Sequence, residues 1–304
     1  MSYMQWSGVM PAITTKFTND DKLDLDLFNK SLEFQLKSDV QAIVLAGSLG
    51  EASTLSQEEK NILTRNTVEF VNNRIPVVVN IAEQSTKEAL QSVKSAEKYG
   101  ASGLMVLPPL RYKSARNETI SYFESIAKST NLPIMIYNNP VDYGIEVTVD
   151  MFNELLKCDN IKAVKESTRD VSNVTRLKNS FGSRLKIMTG VDTIALESLL
   201  MGADGWIAGL VCAFPEETVA IYKLQSQGKI KEAIEIFRWF LPLLELDINP
   251  KLVQNIKLAE SILEIGSEHV RLPRKPLYGK EREEVMSLIN YGISKRPDLT
   301  KYNY

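Results

Sequence analysis

Val77-Val78-Val79-Asn80-Ile81, then Ser85-Thr86-Lys87-Glu88, then Gly100, then Gly103-Leu104-Met105-Val106-Leu107: residues 77–107 read as one strand, one helix and the next strand. The two apolar runs are of strand length and lack polar alternation, as a parallel sheet covered on both faces requires. Ser85 with Glu88 reads as a capping box that opens the helix, and Gly100 falls where that helix should end.

Working outward, the same unit recurs. Apolar runs stand at Val9–Ile13, Ala42–Ala46, Val77–Ile81, Gly103–Leu107, Ile134–Tyr137, Ile161–Val164, Leu185–Met188 and Gly205–Ala208. Helix-like segments separate them. Leu25, Phe28, Leu32 and Leu36 recur at helical spacing, Ser56 with Glu59 forms a second capping box, Pro215 suits a first helical turn and Gly182 a helix end. Eight strands, each followed by a helix, predict an α/β fold, a (β/α)8 TIM barrel. A six-stranded doubly wound sheet would leave two runs unused, and no Gly-x-Gly-x-x-Gly opens the first unit. After about Gln227 the strands cease. Residues 229–247, 250–264 and 281–293 read as three helices, so we expect a catalytic barrel over 1–228 and a helical C-terminal extension over 229–304 packed on it as an appendage.

Composition narrows the function classes. A net charge of −2 gives no reason to expect nucleic acid or an anionic membrane surface as partner. Cys158 and Cys212 have no metal-ligand spacing, and His269, read as a surface residue near a helix end, is the only histidine. That removes most zinc sites, and we expect neither metal nor organic cofactor. The N-terminus lacks a basic region followed by a long apolar run, and no stretch approaches the ~18 uninterrupted apolar residues of a membrane span. The expected location is the cytoplasm.

In such a barrel the reacting groups sit at the C-terminal ends of the strands. Lys165 follows Ile161-Lys162-Ala163-Val164, so Lys165 and Ala163 share one face and Lys162 and Val164 the other. A lysine turned into a barrel interior loses proton affinity through desolvation, and its neutral amine can attack a ketone or exchange with an imine. The alternative is a strand-end lysine paired with an acid such as Glu166. Tyr137 ends its strand and could pass protons to a carbinolamine, or be a core aromatic. Gly47-Ser48-Leu49-Gly50 could aim backbone N–H groups at a carboxylate, or be an ordinary turn. Glu51, Asp142 and Asp192 read as solvated or capping acids.

Taken together, these residues resemble the dihydrodipicolinate synthase/N-acetylneuraminate lyase family. The resemblance rests on Gly47-Ser48-Leu49-Gly50-Glu51, Tyr137-Asn138-Asn139-Pro140 and Lys165-Glu166-Ser167, in that order and spacing, and runs from about Gly8 to Pro215. It implies that Lys165 forms a Schiff base with a small carboxylate substrate, that Tyr137 relays protons, and that Ser48 with the N–H groups of Ser48 and Leu49 holds the carboxylate. Gly47, Asn139, Gly190 and Ile207 complete the implied substrate-binding set. The family also implies a homo-oligomer, dimer or tetramer, with an aromatic residue reaching the neighbouring subunit's site; Tyr112 is the candidate.

Two departures bear on substrate. Position 49 is Leu, so the second hydroxyl of the turn is missing. Asp142 stands where the dihydrodipicolinate synthases carry a carboxylate-binding arginine, and an acid there would repel their substrate. The stretches Leu107-Pro108-Pro109-Leu110-Arg111-Tyr112, 137–144 and 271–277 look closer to the 1-pyrroline-4-hydroxy-2-carboxylate deaminases of hydroxyproline breakdown. A 2-keto-3-deoxy sugar acid aldolase or dehydratase, a 4-hydroxy-tetrahydrodipicolinate synthase, and a silent barrel that only binds a 2-oxo acid are the alternatives.

Overall fold

The computed structural model describes residues 4–109 and 112–304; Leu110 and Arg111, quoted above for the branch resemblance, lie outside them. Eight strands form one parallel sheet: β1 (Gly8–Pro11), β2 (Ile43–Leu45), β3 (Val77–Ile81), β4 (Gly103–Val106), β5 (Ile134–Asn138), β6 (Ile161–Glu166), β7 (Lys186–Thr189) and β8 (Gly205–Ala208). Each pairs with its sequence neighbour from β2 to β8, and β8 pairs with β1. The ring closes where Ala12 bridges Val44 and the Ile13 N–H donates to the Val44 carbonyl at 3.0 Å. This is a (β/α)8 barrel. All eight runs read from the sequence are strands, within a residue or two of their observed ends.

Helices α1 (Leu25–Leu36), α2 (Gln57–Val71), α3 (Thr86–Lys98), α4 (Arg116–Lys128), a short α5 (Pro140–Tyr143), α6 (Val149–Leu155), α7 (Val171–Phe181), α8 (Ala195–Leu200) and α9 (Pro215–Ser226) surround the sheet. The Ser56 box is complete: its hydroxyl accepts from the Glu59 N–H at 3.2 Å and Glu59 accepts from the Ser56 N–H at 2.8 Å. At Ser85 only half of the box forms. The hydroxyl accepts from the Glu88 N–H, but Glu88 turns to that hydroxyl instead of to the backbone.

Alternation on the strands divides the core. Met10, Val44, Val78, Met105, Met135, Ala163, Met188 and Ile207 point inward and fill the barrel. Val9, Ile43, Leu104, Ile136, Val164 and Ile187 point outward under the helices. At the start of β6 the register with β5 skips from Ile161 to Ala163, so Lys162 bulges out and is exposed while Ala163 and Lys165 stay on the inner face.

The extension comprises α10 (Ile230–Leu244), α11 (Leu252–Ile262) and α12 (Gly279–Ser294). Phe214 at the start of α9 packs edge-on against Trp239 and Phe240 of α10, and the Trp239 indole donates to the Gly292 carbonyl at 2.9 Å. One continuous apolar core therefore runs from the barrel into the extension. The segment between α10 and α11 also crosses the barrel mouth, where Asp247, Ile248 and Asn249 line the central cavity. The expected appendage is part of the site's wall. Its charge pattern gives no hint of this, because the contact depends on how α10 lies on α9.

Candidate active site

A cavity of about 490 Å³ opens at the C-terminal ends of the strands. Lys165 on β6 stands in register with Tyr137 on β5 and Met188 on β7, so the three share the inner face. The Lys165 amine lies 4.2 Å from the centre of the Tyr137 ring. The residue is 8% exposed, and among the described residues no carboxylate oxygen comes within 4.0 Å of it. Burial lowers the amine's proton affinity below the usual lysine range; the acidic groups of Tyr143, Asp247, Asp192 and Asp142 oppose this only in part. Glu166 is no partner for Lys165. It faces away and accepts from Asn173 at 2.9 Å, Asn138 at 3.2 Å and the Thr168 N–H at 2.9 Å.

Gly190, at the end of β7, makes room for the lysine. A Cβ there would meet the Ser167 hydroxyl at 2.2 Å and the Lys165 Cε at 2.6 Å, so a side chain would push the amine out of place.

The turn after β2 is fixed from three directions. Asn80 donates to the Ala46 carbonyl at 2.9 Å, Thr15 to the Gly50 carbonyl at 2.6 Å, and Glu51 is held from below. The N–H groups of Ser48 and Leu49 find no acceptor among the described residues, and both residues line the cavity. Such a turn can receive a carboxylate. Leu49 is itself buried.

Tyr137 is buried, which pushes its hydroxyl up to about 12, and it accepts from Asn139 at 3.3 Å. Beside it stands Tyr143, missed in the sequence reading. Its ring meets Tyr137 edge-on at 5.7 Å, its hydroxyl shares a hydrogen bond with Ser48, and burial pushes it too up to about 12. The short helix α5 swings it inward. Asn139 caps that helix, Pro140 opens it, and Gly144 ends it in the left-handed region at φ 72°. Those three signals are legible in Asn139-Pro140-Val141-Asp142-Tyr143-Gly144.

Thus Gly47, Ser48, Leu49, Tyr137, Asn139, Lys165, Gly190 and Ile207 all line one cavity. Tyr112 does not: it is 54% exposed and absent from the wall of its own chain's cavity. Two acids differ from expectation. Asp192 is 1% exposed and accepts from the Trp206 indole at 2.8 Å and the N–H groups of Gly209 and Leu210 at 3.2 and 3.0 Å, because the strand ends bring unpaired backbone donors to it. Glu51 is fully buried against Lys257 at 2.6 Å. Arg169 and Asp247 also reach the cavity. Burial, with the Asp192 charge nearby, raises the Asp247 carboxyl well above the usual carboxylate range.

Residues 5–291 match the dihydrodipicolinate synthetase family. The chain belongs to that family. The 4-hydroxy-tetrahydrodipicolinate synthase of Alkaliphilus oremlandii (strain OhILAs) is 31% identical, over 92% of this chain and 97% of its own. The structure of the 4-hydroxy-tetrahydrodipicolinate synthase of Methylacidiphilum fumariolicum SolV superposes with a TM-score of 0.89 at 30% identity, over 95% of this chain and 97% of that one. YagE, a prophage protein of the dihydrodipicolinic acid synthase family from E. coli K12, solved in complex with pyruvate, has a TM-score of 0.90 at 25% identity, over 95% and 99%. The dihydrodipicolinate synthetase family consists of class I aldolase-type enzymes. Among the described residues no helix is long and apolar enough to cross a membrane.

Proposed function

We propose that Lys165 forms a Schiff base with a small 2-oxo or cyclic 2-imino carboxylate, and that the substrate is 1-pyrroline-4-hydroxy-2-carboxylate. The observation that carries the first part is the buried, unpaired Lys165 amine over the Tyr137 ring, in the same cavity as the two unclaimed N–H groups of Ser48 and Leu49. Those donors and the Ser48 hydroxyl hold the carboxylate, which sets the adjacent C2 before the amine. Tyr137 passes protons at C2, and the Ser48–Tyr143 pair carries them onward in place of the hydroxyl that Leu49 lacks.

Attack at C2 opens the ring by transimination and frees the ring nitrogen as an amine on C5. Loss of a C3 proton gives an enamine, which expels the 4-hydroxyl as water. A proton shift makes C5 an imine, whose hydrolysis releases ammonia, and hydrolysis at C2 frees Lys165 and 2,5-dioxopentanoate. The balance is substrate plus one water to product plus ammonia. This route needs no aldehyde partner and no clamp for a second carboxylate, which agrees with Asp142 in the wall.

The relatives' names favour a second reading, 4-hydroxy-tetrahydrodipicolinate synthesis, on the same lysine. An ammonia-release assay beside Lys165→Ala separates them. Ammonia from the wild type alone supports the deaminase. No ammonia, with pyruvate trapped on Lys165 by borohydride, turns the search to the synthase and to sugar-acid aldolases or dehydratases; no adduct at all leaves a silent barrel. The proposal includes a homo-oligomer in which Tyr112 enters a neighbour's cavity, and its exposure supports this. Light scattering and the loss of turnover in Tyr112→Ala test it.

A further inference from the structure

The loop after β6 carries a residue in an unusual state. Arg169 has φ 63°, in the left-handed region that glycine adopts without cost and arginine does not. The loop holds it there from both sides. The Thr168 N–H donates to Glu166 at 2.9 Å, the Asp170 N–H to the Thr168 hydroxyl at 3.3 Å, and Asp170 caps α7 by accepting from the Ser172 N–H at 3.0 Å. The strained position puts a long cationic side chain into the wall of the cavity that also contains Lys165.

Its partner is Asp142. One guanidinium nitrogen stands 3.6 Å from Asp142 Oδ1, with the two side chains 45% and 52% exposed. Asp142 Oδ2 accepts from Asn139 at 2.7 Å, and the same amide donates to the Tyr137 hydroxyl. The acid is thus fixed by the proton-relay wall, while the arginine meets it only loosely from the neighbouring loop after β6. A half-exposed pair at that separation contributes little by itself, so a ligand group can enter between the two at small cost.

The chemistry of the entering group follows from the pair. A lone arginine would take a second carboxylate with two parallel hydrogen bonds. With Asp142 opposite, the charge is cancelled and one wall repels an anion. A donor facing an acceptor suits a hydroxyl, which gives one hydrogen bond and takes another. We propose that Arg169 and Asp142 form a distal subsite that binds a hydroxyl on the substrate beyond the imine carbon and rejects a second carboxylate. The proposal rests on the Schiff-base reading of Lys165 and sharpens it to hydroxylated monocarboxylates.

The test compares borohydride trapping on Lys165, followed by intact mass, with four probes: pyruvate, 2-oxobutanoate, 4-hydroxy-2-oxobutanoate and 2-oxoglutarate. The readout is the ratio of half-saturating concentrations within each protein, which removes differences in overall competence. In the wild type the hydroxylated probe should saturate about tenfold below 2-oxobutanoate, the worth of one hydrogen bond to a charged group, and at least tenfold below 2-oxoglutarate. Asp142→Asn frees the arginine and should draw 2-oxoglutarate level with the hydroxylated probe or below it. Arg169→Gly should lose the hydroxyl preference and also raise Tm, since it relieves the left-handed strain. If pyruvate is trapped but both ratios stay within twofold of the wild type in the two variants, the subsite is wrong and the Schiff-base reading stands. If the wild type traps none of the four, both fall.

Discussion

Two regions of the molecule bury lysines, and they treat them in opposite ways. Under the turn after β2, Lys257 meets Glu51 at 2.6 Å and Lys16 meets Glu260 at 2.7 Å, with all four side chains 0% exposed. Glu260 also accepts from the Thr14 hydroxyl at 2.7 Å, and Glu51 accepts from the Arg271 N–H at 3.0 Å. These acids answer the buried charges, and the network ties α11 to the barrel. At the end of β6, Lys165 has no carboxylate oxygen within 4.0 Å among the described residues. Burial lowers the proton affinity of both Lys257, to about 8, and Lys165, but Lys257 donates to Glu51 and the His269 carbonyl and serves as an anchor, whereas Lys165 lines the open cavity.

The strongest way to break this contrast is Lys165→Met. Borohydride trapping of pyruvate should vanish, while Tm stays level or rises, because an unpaired buried amine is replaced by an apolar side chain of similar size. A large fall in Tm would make Lys165 an anchor like the others. Lys257→Met should do the reverse. It leaves Glu51 buried with only the Arg274 guanidinium, 3.8 Å away, as its cation and should cost about 3 kcal/mol in denaturant unfolding, with trapping on Lys165 retained in the folded fraction. Gly190→Ala is a smaller change. Its methyl overlaps the lysine and Ser167, and overpacking costs about 1–3 kcal/mol, so calorimetry should show a lower Tm and trapping should slow.

The gentlest probe is pH. Burial lowers the Lys165 proton affinity, so its neutral form accumulates at lower pH than for a free lysine. The imine-formation rate should rise by at most about tenfold per pH unit, then level off below the ordinary lysine value. Tyr137 and Tyr143, both near 12, stay protonated through that window and add no alkaline loss. Stability follows the same sign. Between the lowered folded value and the unfolded value of 10.5 the unfolded chain binds the extra proton, so Lys165 contributes stability that rises with pH. Lys165→Met should lose that contribution. A rate that is flat with pH would mean that the amine is already neutral, or that another step limits.

Local signals carried most of the fold. Continuous β-branched runs, capping residues and glycines at helix ends mark eight strands and their helices, because each depends on neighbours a few residues away. The inward aim of Lys165 was legible for the same reason: strand alternation has period two, and Ala163 shares its face. Tyr143 was legible in principle, through the cap, the proline and the glycine of α5, but only once that short helix is read as a device that turns a side chain back.

The rest required the closed barrel. Nothing in the sequence near Glu51 announces Lys257, more than two hundred residues away, so a fully buried ion pair reads as a solvated acid. Asp192 reads likewise until β8 brings the Trp206 indole and two backbone N–H groups onto it. Asp247 and Arg169 enter the cavity because the α10–α11 segment and the β6–α7 loop cross its mouth, a matter of packing and not of periodicity. The sequence by itself determined the barrel, the inward aim of Lys165 and the place of the turn after β2, since these follow from local backbone preference and side-chain alternation. Tertiary structure alone decided which buried charges are answered and which are left free, because that depends on groups brought together from distant parts of the chain in a low-dielectric interior.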